Sequence, residues 1–82
     1  MSNLSKMKKR SFSIAGHRTS VALEPEFWAA IEAEARREGI SMSALVTRID
    51  AGRAGQNLAS ALRVHVLNRL RTEPGDKAAA IR

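Results

Sequence analysis

The sequence predicts a mainly α-helical fold with one short β-strand, assembled as a homodimer, and three observations support this prediction. Residues 18–23 alternate in polarity, with Thr19, Val21 and Leu23 on one side, which is the period of a half-buried strand. The chain after Leu23 has helical periodicity, so the strand has no partner further along. The chain has 82 residues and no cysteine. A domain of this size commonly depends on oligomerisation when disulfides are absent.

The strand, at about residues 17–23, therefore needs a partner from elsewhere. A single strand leaves its backbone N–H and C=O groups unpaired, and the obvious source of a second strand is another copy of the chain. Two copies would form an antiparallel intermolecular ribbon of two strands. A ribbon of this kind, with one polar and basic face, fits the major groove of DNA.

The segment before the strand leaves two structures open. Residues 1–9 are polar and basic without periodicity, which predicts a disordered arm. Phe12 and Ile14 then alternate on the parity opposite to that of the strand, and the parity changes at Ala15-Gly16. A strand changes parity only through a bulge or a turn. Residues 10–15 therefore either extend the strand through a bulge or fold into a short hairpin beside it.

Three helices are predicted after the strand. The first, at about residues 25–37, begins at Pro25 and ends before Gly39, which are residues suited to a helix start and stop. The second, at about residues 42–52, has Ser41 as its N-cap and completes a core domain at residues 10–53. A third helix at residues 57–71 precedes a flexible tail at residues 72–82. The predicted buried stripe of the third helix is Leu58, Leu62, Val66 and Leu70, flanked by Ala61 and Leu67.

The charge distribution indicates an anionic partner. The net charge is +6, and the first twenty residues contain five Lys and Arg residues and no Asp or Glu. Nucleic acid is the leading candidate and an anionic membrane surface the weaker one. The apolar run after the basic start is too short for a signal peptide, and no stretch is long enough to span a membrane. We therefore expect a cytoplasmic protein without membrane association.

These residues resemble a known family. The strand Thr19-Ser20-Val21-Ala22-Leu23, the helix that starts at Pro25 and the junction at residues 39–45 resemble a ribbon-helix-helix domain of the MetJ/Arc type over about residues 10–51. A bacterial subfamily of small proteins with an extra C-terminal helix is similar in more detail. The segments that carry this narrower resemblance are Lys9-Arg10-Ser11, Gly16-His17-Arg18-Thr19-Ser20 and Leu23-Glu24-Pro25-Glu26-Phe27-Trp28.

The resemblance implies an intertwined homodimer whose paired strands enter the major groove of double-stranded DNA, with Arg18, Ser20 and Ala22 facing the bases. The Arg18 fork suits O6 and N7 of guanine, whereas Ser20 is unselective and Ala22 offers only contact with a thymine methyl group. The residues expected at phosphates are Lys8, Lys9 and Arg10 near the arm and Ser41, Met42 and Ser43 at the start of the second helix.

Three functions fit these features. The first is a homodimeric transcriptional regulator, acting as a repressor at an operator. The second is an antitoxin that autoregulates its operator and masks a toxin with its C-terminal part. The third is a dimeric adaptor that has lost DNA binding, for which Ala22 is the best argument. An apolar face on the third helix that stays exposed in the dimer would favour the second or third function through a protein partner, and a face that packs on the dimer core would favour the first.

Catalysis is not expected from this sequence. The two histidines lie in different predicted elements, cysteine is absent, and no glycine loop that could hold a phosphate follows a strand. Most carboxylates fall at solvated positions of the first helix, without a sign of a buried pair. We expect no metal site and no cofactor.

Overall fold

Two strands and three helices make up residues 6–71, the part of the chain that the computed structural model describes. In chain order they are β1 (Lys8–Ile14), β2 (His17–Leu23), α1 (Pro25–Glu38), α2 (Met42–Ala51) and α3 (Leu58–Arg71). The predicted tail and residues 1–5 of the predicted arm lie outside the described residues. Lys8 and Lys9, which we assigned to the arm, belong to β1.

The two strands pair with each other as an antiparallel hairpin. The pairing opposes Lys8 to Leu23 at one end and Ile14 to His17 at the other. The prediction of one strand without a partner in its own chain is therefore wrong, because β1 supplies that partner. Of the two structures left open for residues 10–15, the hairpin is the one that forms.

A two-residue turn at Ala15-Gly16 connects the strands. Both residues have a positive φ, 52° for Ala15 and 82° for Gly16, as a type I′ turn requires, and the twist of this turn matches that of the strands it joins. Glycine adopts this conformation freely, whereas an alanine does so at a cost of roughly 1–2 kcal/mol. The usual sequence signal for this turn is Asn-Gly or Asp-Gly. Because alanine stands at the first turn position, the sequence did not distinguish the hairpin from a bulged strand.

The turn also explains the change of parity between the strands. Even-numbered residues of β1 lie opposite odd-numbered residues of β2, so the apolar side chains of both strands share one face. On this inner face, Phe12, Ile14, Val21 and Leu23 are buried. The opposite side is the outer face, and it consists of Lys9, Ser11, Ser13, Arg18, Ser20 and Ala22.

The helices close over the inner face. α2 packs on β1, α3 packs on β2, and α1 packs against both α2 and α3. α1 begins with Pro25, whose missing N–H is not needed in the first turn, and ends at Gly39, which has a φ of 68°. The most deeply buried side chains come from four of the five elements, namely Leu23, Ile31, Leu45, Val46 and Leu62.

Trp28 fixes the position of α1 against the hairpin. Its ring centroid lies 5.9 Å from that of Phe12, and its Nε1–H donates a hydrogen bond of 2.8 Å to the carbonyl oxygen of Lys8. A buried tryptophan needs an acceptor for its N–H, and here the backbone of β1 provides it. The single tryptophan is therefore part of the core of the monomer.

Glu34 is a buried carboxylate on α1, only 4% exposed. Its Oε1 lies 2.8 Å from Nε2 of His65, and its Oε2 lies 3.7 Å from Nε of Arg69. The expectation that the carboxylates of this helix are solvated does not hold for Glu34. His65 and Arg69, both on α3, lie beside this carboxylate, because a buried carboxylate needs polar or charged partners. The cluster therefore holds α1 against α3.

The buried face of α3 differs from the predicted stripe. Leu58, Leu62 and Val66 are buried, but Leu70 is 55% exposed and Leu67 is 52% exposed. A spacing of four residues overshoots a helical turn by about 40° per step. Three steps from Leu58 therefore carry Leu70 away from the core. The prediction was wrong for Leu67 and Leu70, which lie on the exposed side together with Val64.

Candidate nucleic-acid interface

The outer face of the hairpin presents cations and hydroxyl groups in two short rows. Each strand contributes alternate residues, because successive side chains of a strand point to opposite sides. The face contains no carboxylate, and all of its residues are exposed except Ala22, which is half-buried. Its three cross-strand pairs are Lys9 with Ala22, Ser11 with Ser20 and Ser13 with Arg18.

Cross-strand hydrogen bonds connect the two rows of the outer face. The hydroxyls of Ser11 and Ser20 lie 3.1 Å apart, and Arg18 Nη1 donates to Ser13 Oγ at 3.5 Å. Directly opposed side chains are the pairs that a sheet brings into contact. These bonds involve exposed side chains that water or a ligand can replace at little cost.

The side chains of the outer face can form hydrogen bonds with the base edges and the phosphates of a nucleic acid. A guanidinium can make two hydrogen bonds to guanine, hydroxyls donate or accept, and an ammonium pairs with phosphate. Three short serine side chains and one alanine also permit the sheet to approach a partner closely. A two-stranded ribbon is narrow enough for the major groove.

The three residues predicted to contact bases all lie on the outer face. Arg18 and Ser20 are exposed and Ala22 is half-buried. Ser11 and Ser13 of β1 share this face and were missed in the sequence analysis. The signal that finds them is the register of the hairpin, since their parity places them beside Ser20 and Arg18 only when Ala15-Gly16 is a two-residue turn.

The three basic residues predicted near phosphates are separated by the pleat of β1. Lys9 lies on the outer face and is exposed. Lys8 and Arg10 have the parity of the inner face. Arg10 Nη1 donates a 2.8 Å hydrogen bond to Glu32 Oε2, and its guanidinium lies 5.1 Å from the ring centroid of Trp28. The structure therefore places Lys9, and not Arg10, on the same face as Arg18, towards the opposite end of the hairpin.

The start of α2 is capped as the sequence predicts. Ser41 has an extended backbone conformation and its side chain accepts a hydrogen bond of 3.0 Å from the backbone N–H of Ala44. Met42 and Ser43 occupy the first helical positions, where backbone N–H groups have no intrahelical acceptor. These two N–H groups, together with the helix dipole, favour an anion at this end.

The cations of the outer face differ from three arginines elsewhere in the chain. Arg48, Arg53 and Arg63 form ion pairs with carboxylates of the same chain. Within residues 6–71, no ion pair involves Lys9 or Arg18. The positive charge of the outer face is therefore not neutralised by the described part of the chain.

Two carboxylates show the effect of these ion pairs in their pKa values. The hydrogen bond from Arg63 holds the pKa of Glu24 below its usual value. The hydrogen bond from Arg48 does the same for Glu38, and the carboxylate of Glu38 in turn raises the pKa of Arg48. Both carboxylates are therefore ionised at neutral pH, and their charge is matched by arginines away from the hairpin.

A basic, hydroxyl-bearing hairpin supported by helices belongs to the class of β-ribbon DNA-binding modules. The family model of the ribbon-helix-helix domain matches residues 7–70. The chain therefore belongs to the ribbon-helix-helix family, which confirms the resemblance seen in the sequence. Domains of this family are regulatory and DNA-binding, not enzymatic, and they generally bind DNA as dimers.

No curated protein and no solved structure gives a significant match to the chain. Among residues 6–71, no helix has the length and apolar character that a membrane span requires.

Proposed function

We propose that the chain is a homodimeric, sequence-specific DNA-binding regulator of the repressor type. The observation that supports this proposal most strongly is the outer face, which carries Lys9 and Arg18 without a neutralising carboxylate. Arg18 reads guanine in this proposal, and Ser20 contributes an unselective hydrogen bond. Ala22 contacts a thymine methyl group.

The unpaired edge of β2 is the place for the second copy. In the described part of the chain, β2 pairs with β1 along one edge only. A groove beside the other edge is bordered by residues 19–22 and by the start of α3. Unpaired strand edges readily pair with another chain. The β2 strands of two copies then form the centre of a four-stranded antiparallel sheet.

The width of such a sheet determines which of its strands can contact the bases. Strands lie about 4.8 Å apart, so the two outer strands are about 14 Å apart, whereas the major groove is about 12 Å wide. Only the central β2 pair therefore enters the groove fully. Arg18 and Ser20 lie on β2 and face the bases, while Lys9 lies on β1, at the level of the phosphates.

The start of α2 adds a second kind of phosphate contact. The free N–H groups of Met42 and Ser43 hold a phosphate oxygen, and Ser41 keeps the helix end ordered through its bond to Ala44. Contacts of this type set the position of a protein on DNA and do not select a sequence. Sequence preference then depends on Arg18 and on the deformability of the operator.

Selection of bound sequences from a random DNA pool tests the proposal directly. We expect an enriched motif with two-fold symmetry, because the two β2 strands are related by a two-fold axis. Fluorescence anisotropy on the enriched duplex should then give an affinity that decreases steeply with salt. Absence of binding even at low salt, or binding that does not depend on salt, contradicts the proposal.

A further inference from the structure

A row of exposed apolar side chains runs along α3. Val64 is 43% exposed, Leu67 is 52% exposed and Leu70 is 55% exposed. Their spacing of three places them on one side of the helix, opposite Leu58 and Leu62. Among the described residues, the only other exposed large hydrophobic side chain is Met7. We call Val64, Leu67 and Leu70 the α3 stripe.

Depressions on both sides make the α3 stripe a ridge between two grooves. Towards α1, a depression of about 190 Å³ has a mostly apolar lining, with Ala30, Ala33 and Val66 beside Leu70. Towards α2, a second depression of about 290 Å³ includes Ile49 and Ala61 beside Val64. A ridge with a groove on each side is the surface on which another helix packs.

Arginines border the α3 stripe on every side. Arg37 and Arg69 line the depression towards α1, and Arg48 and Arg53 line the one towards α2. α3 itself contains three arginines and no Asp or Glu. Arg37 and Arg71 take part in no ion pair with another described residue. Glu34 also lines the depression towards α1 and lies beside Arg69, and Arg48 and Arg53 are paired with Glu38 and Asp50. Among the described residues, the excess positive charge of the border therefore comes from Arg37 and Arg71.

This charge argues against a second copy of α3 as the occupant. Two α3 helices packed antiparallel about Leu67 would oppose Arg63 to Arg71 of the other copy. Packed in parallel, each arginine would oppose its own equivalent. Both arrangements place arginines against each other, since the helix itself contains no carboxylate, and only Arg63 has a carboxylate of its own chain, Glu24, beside it. Like charges at an interface disfavour the pairing.

We propose that the α3 stripe binds an amphipathic helix of another protein, with an apolar face bordered by Asp and Glu. Leucines of the partner would fill the two grooves, and its carboxylates would pair with Arg37 and Arg71. The stripe and the outer face of the hairpin both point away from the core, on different elements. Binding of the acidic partner therefore does not require DNA, and recruitment of this partner to an operator rests on the proposed DNA-binding function.

Two synthetic peptides provide the probe for this proposal. The acidic peptide is an 18-residue helix with leucines on one face and glutamates on both borders, and the basic peptide has lysines in place of the glutamates. We expect the full-length protein to bind the acidic peptide at least tenfold more tightly than the basic one, by fluorescence anisotropy. The affinity for the acidic peptide should fall with rising salt.

Leu67→Glu is the decisive variant, because it places a carboxylate at the centre of the α3 stripe. Ala29→Glu is its matched control, since Ala29 is an exposed position of α1 outside the two depressions. We expect Leu67→Glu to weaken binding of the acidic peptide at least tenfold and Ala29→Glu to leave it within twofold. Circular dichroism of both variants establishes that the fold is retained.

Three outcomes overturn the proposal. Equal binding of the two peptides means that the border charge does not select the partner. A dimer that dissociates on Leu67→Glu, seen by analytical ultracentrifugation, assigns the α3 stripe to a second copy of the chain. Binding of vesicles with anionic lipid that is lost on Leu67→Glu, without binding of the acidic peptide, assigns it to a membrane surface.

Discussion

Lys9 and Arg10 are neighbours in the sequence, carry the same charge and lie on opposite faces of β1, which makes them a matched pair for testing the interface. We expect Lys9→Ala to weaken DNA binding and its salt dependence while leaving the stability of the fold unchanged. We expect Arg10→Ala to lower the stability of the fold and to leave DNA binding and its salt dependence unchanged. The reason is structural, because Lys9 is free on the outer face and Arg10 is paired with Glu32 and packed over Trp28.

The size of each effect follows from these contacts. A dimer carries two copies of Lys9, so their loss should reduce the slope of log K against log salt by about 1.8. Relative to 1 M salt, where the counterion-release contribution vanishes, this corresponds to a loss of affinity of about 60-fold at 0.1 M salt. Arg10→Ala removes a partly exposed ion pair and a cation–π contact, together worth about 1 kcal/mol. In a domain of this length that lowers the Tm by roughly 4–8 °C.

Two measurements on both variants complete this test. Fluorescence anisotropy at four or five salt concentrations gives the slope, and thermal unfolding followed by circular dichroism gives the Tm. The reasoning is refuted if Arg10→Ala reduces the salt slope as much as Lys9→Ala does. A large fall in the Tm of Lys9→Ala would also refute it, because it would mean that Lys9 is part of the packed structure.

Three further predictions concern specificity, the turn and pH. Arg18→Ala should abolish the preference for the selected motif while leaving the sedimentation of the dimer unchanged, and specific binding that survives the change would exclude Arg18 as the reader. Ala15→Asn should raise the stability by about 0.5–1 kcal/mol, since asparagine tolerates the positive φ of this turn position; an unchanged or lower Tm would contradict this. Glu24 and Glu38 have a lower pKa in the folded protein than in the unfolded chain, where the usual value is 4.5. The contribution of their ion pairs to the free energy of unfolding is therefore fully present above pH 4.5. It is lost as the pH falls through the pKa of the folded state. The Tm should therefore fall more steeply below that pH in the wild type than in a Glu24→Gln/Glu38→Gln variant, and identical profiles would count against it.

The sequence was sufficient for the parts of the fold that depend on local signals. Pro25, Gly39 and Ser41 mark helix ends through backbone chemistry that acts within a few residues, and the structure uses them in this way. The alternation of Arg18 and Ser20 with apolar neighbours likewise placed both residues on the exposed side of β2. Local periodicity determines the face of a side chain without knowledge of what covers the opposite face.

The sequence was insufficient wherever a distant contact or a conformational exception decided the outcome. Ala15 in a left-handed conformation gave no recognisable turn signal, so the sequence left a hairpin and a bulged strand as open alternatives. Arg10 was expected at a DNA phosphate, because the sequence does not reveal that its partners Glu32 and Trp28, about twenty residues away, hold it on the inner side of β1. Glu34 looked solvated for a similar reason, since His65 reaches it from another helix.

The position of Trp28 gives the protein an intrinsic optical reporter. Its indole contacts Phe12, donates to the backbone of β1 and lies under Arg10, so its emission depends on the hairpin remaining docked on α1. The ring lies behind the sheet, on the side away from the outer face. A ligand on the outer face therefore leaves its surroundings intact, whereas detachment of β1 exposes it to water. The tryptophan emission of unlabelled protein thus reports whether the fold is intact. A dye on the DNA reports binding in a separate measurement.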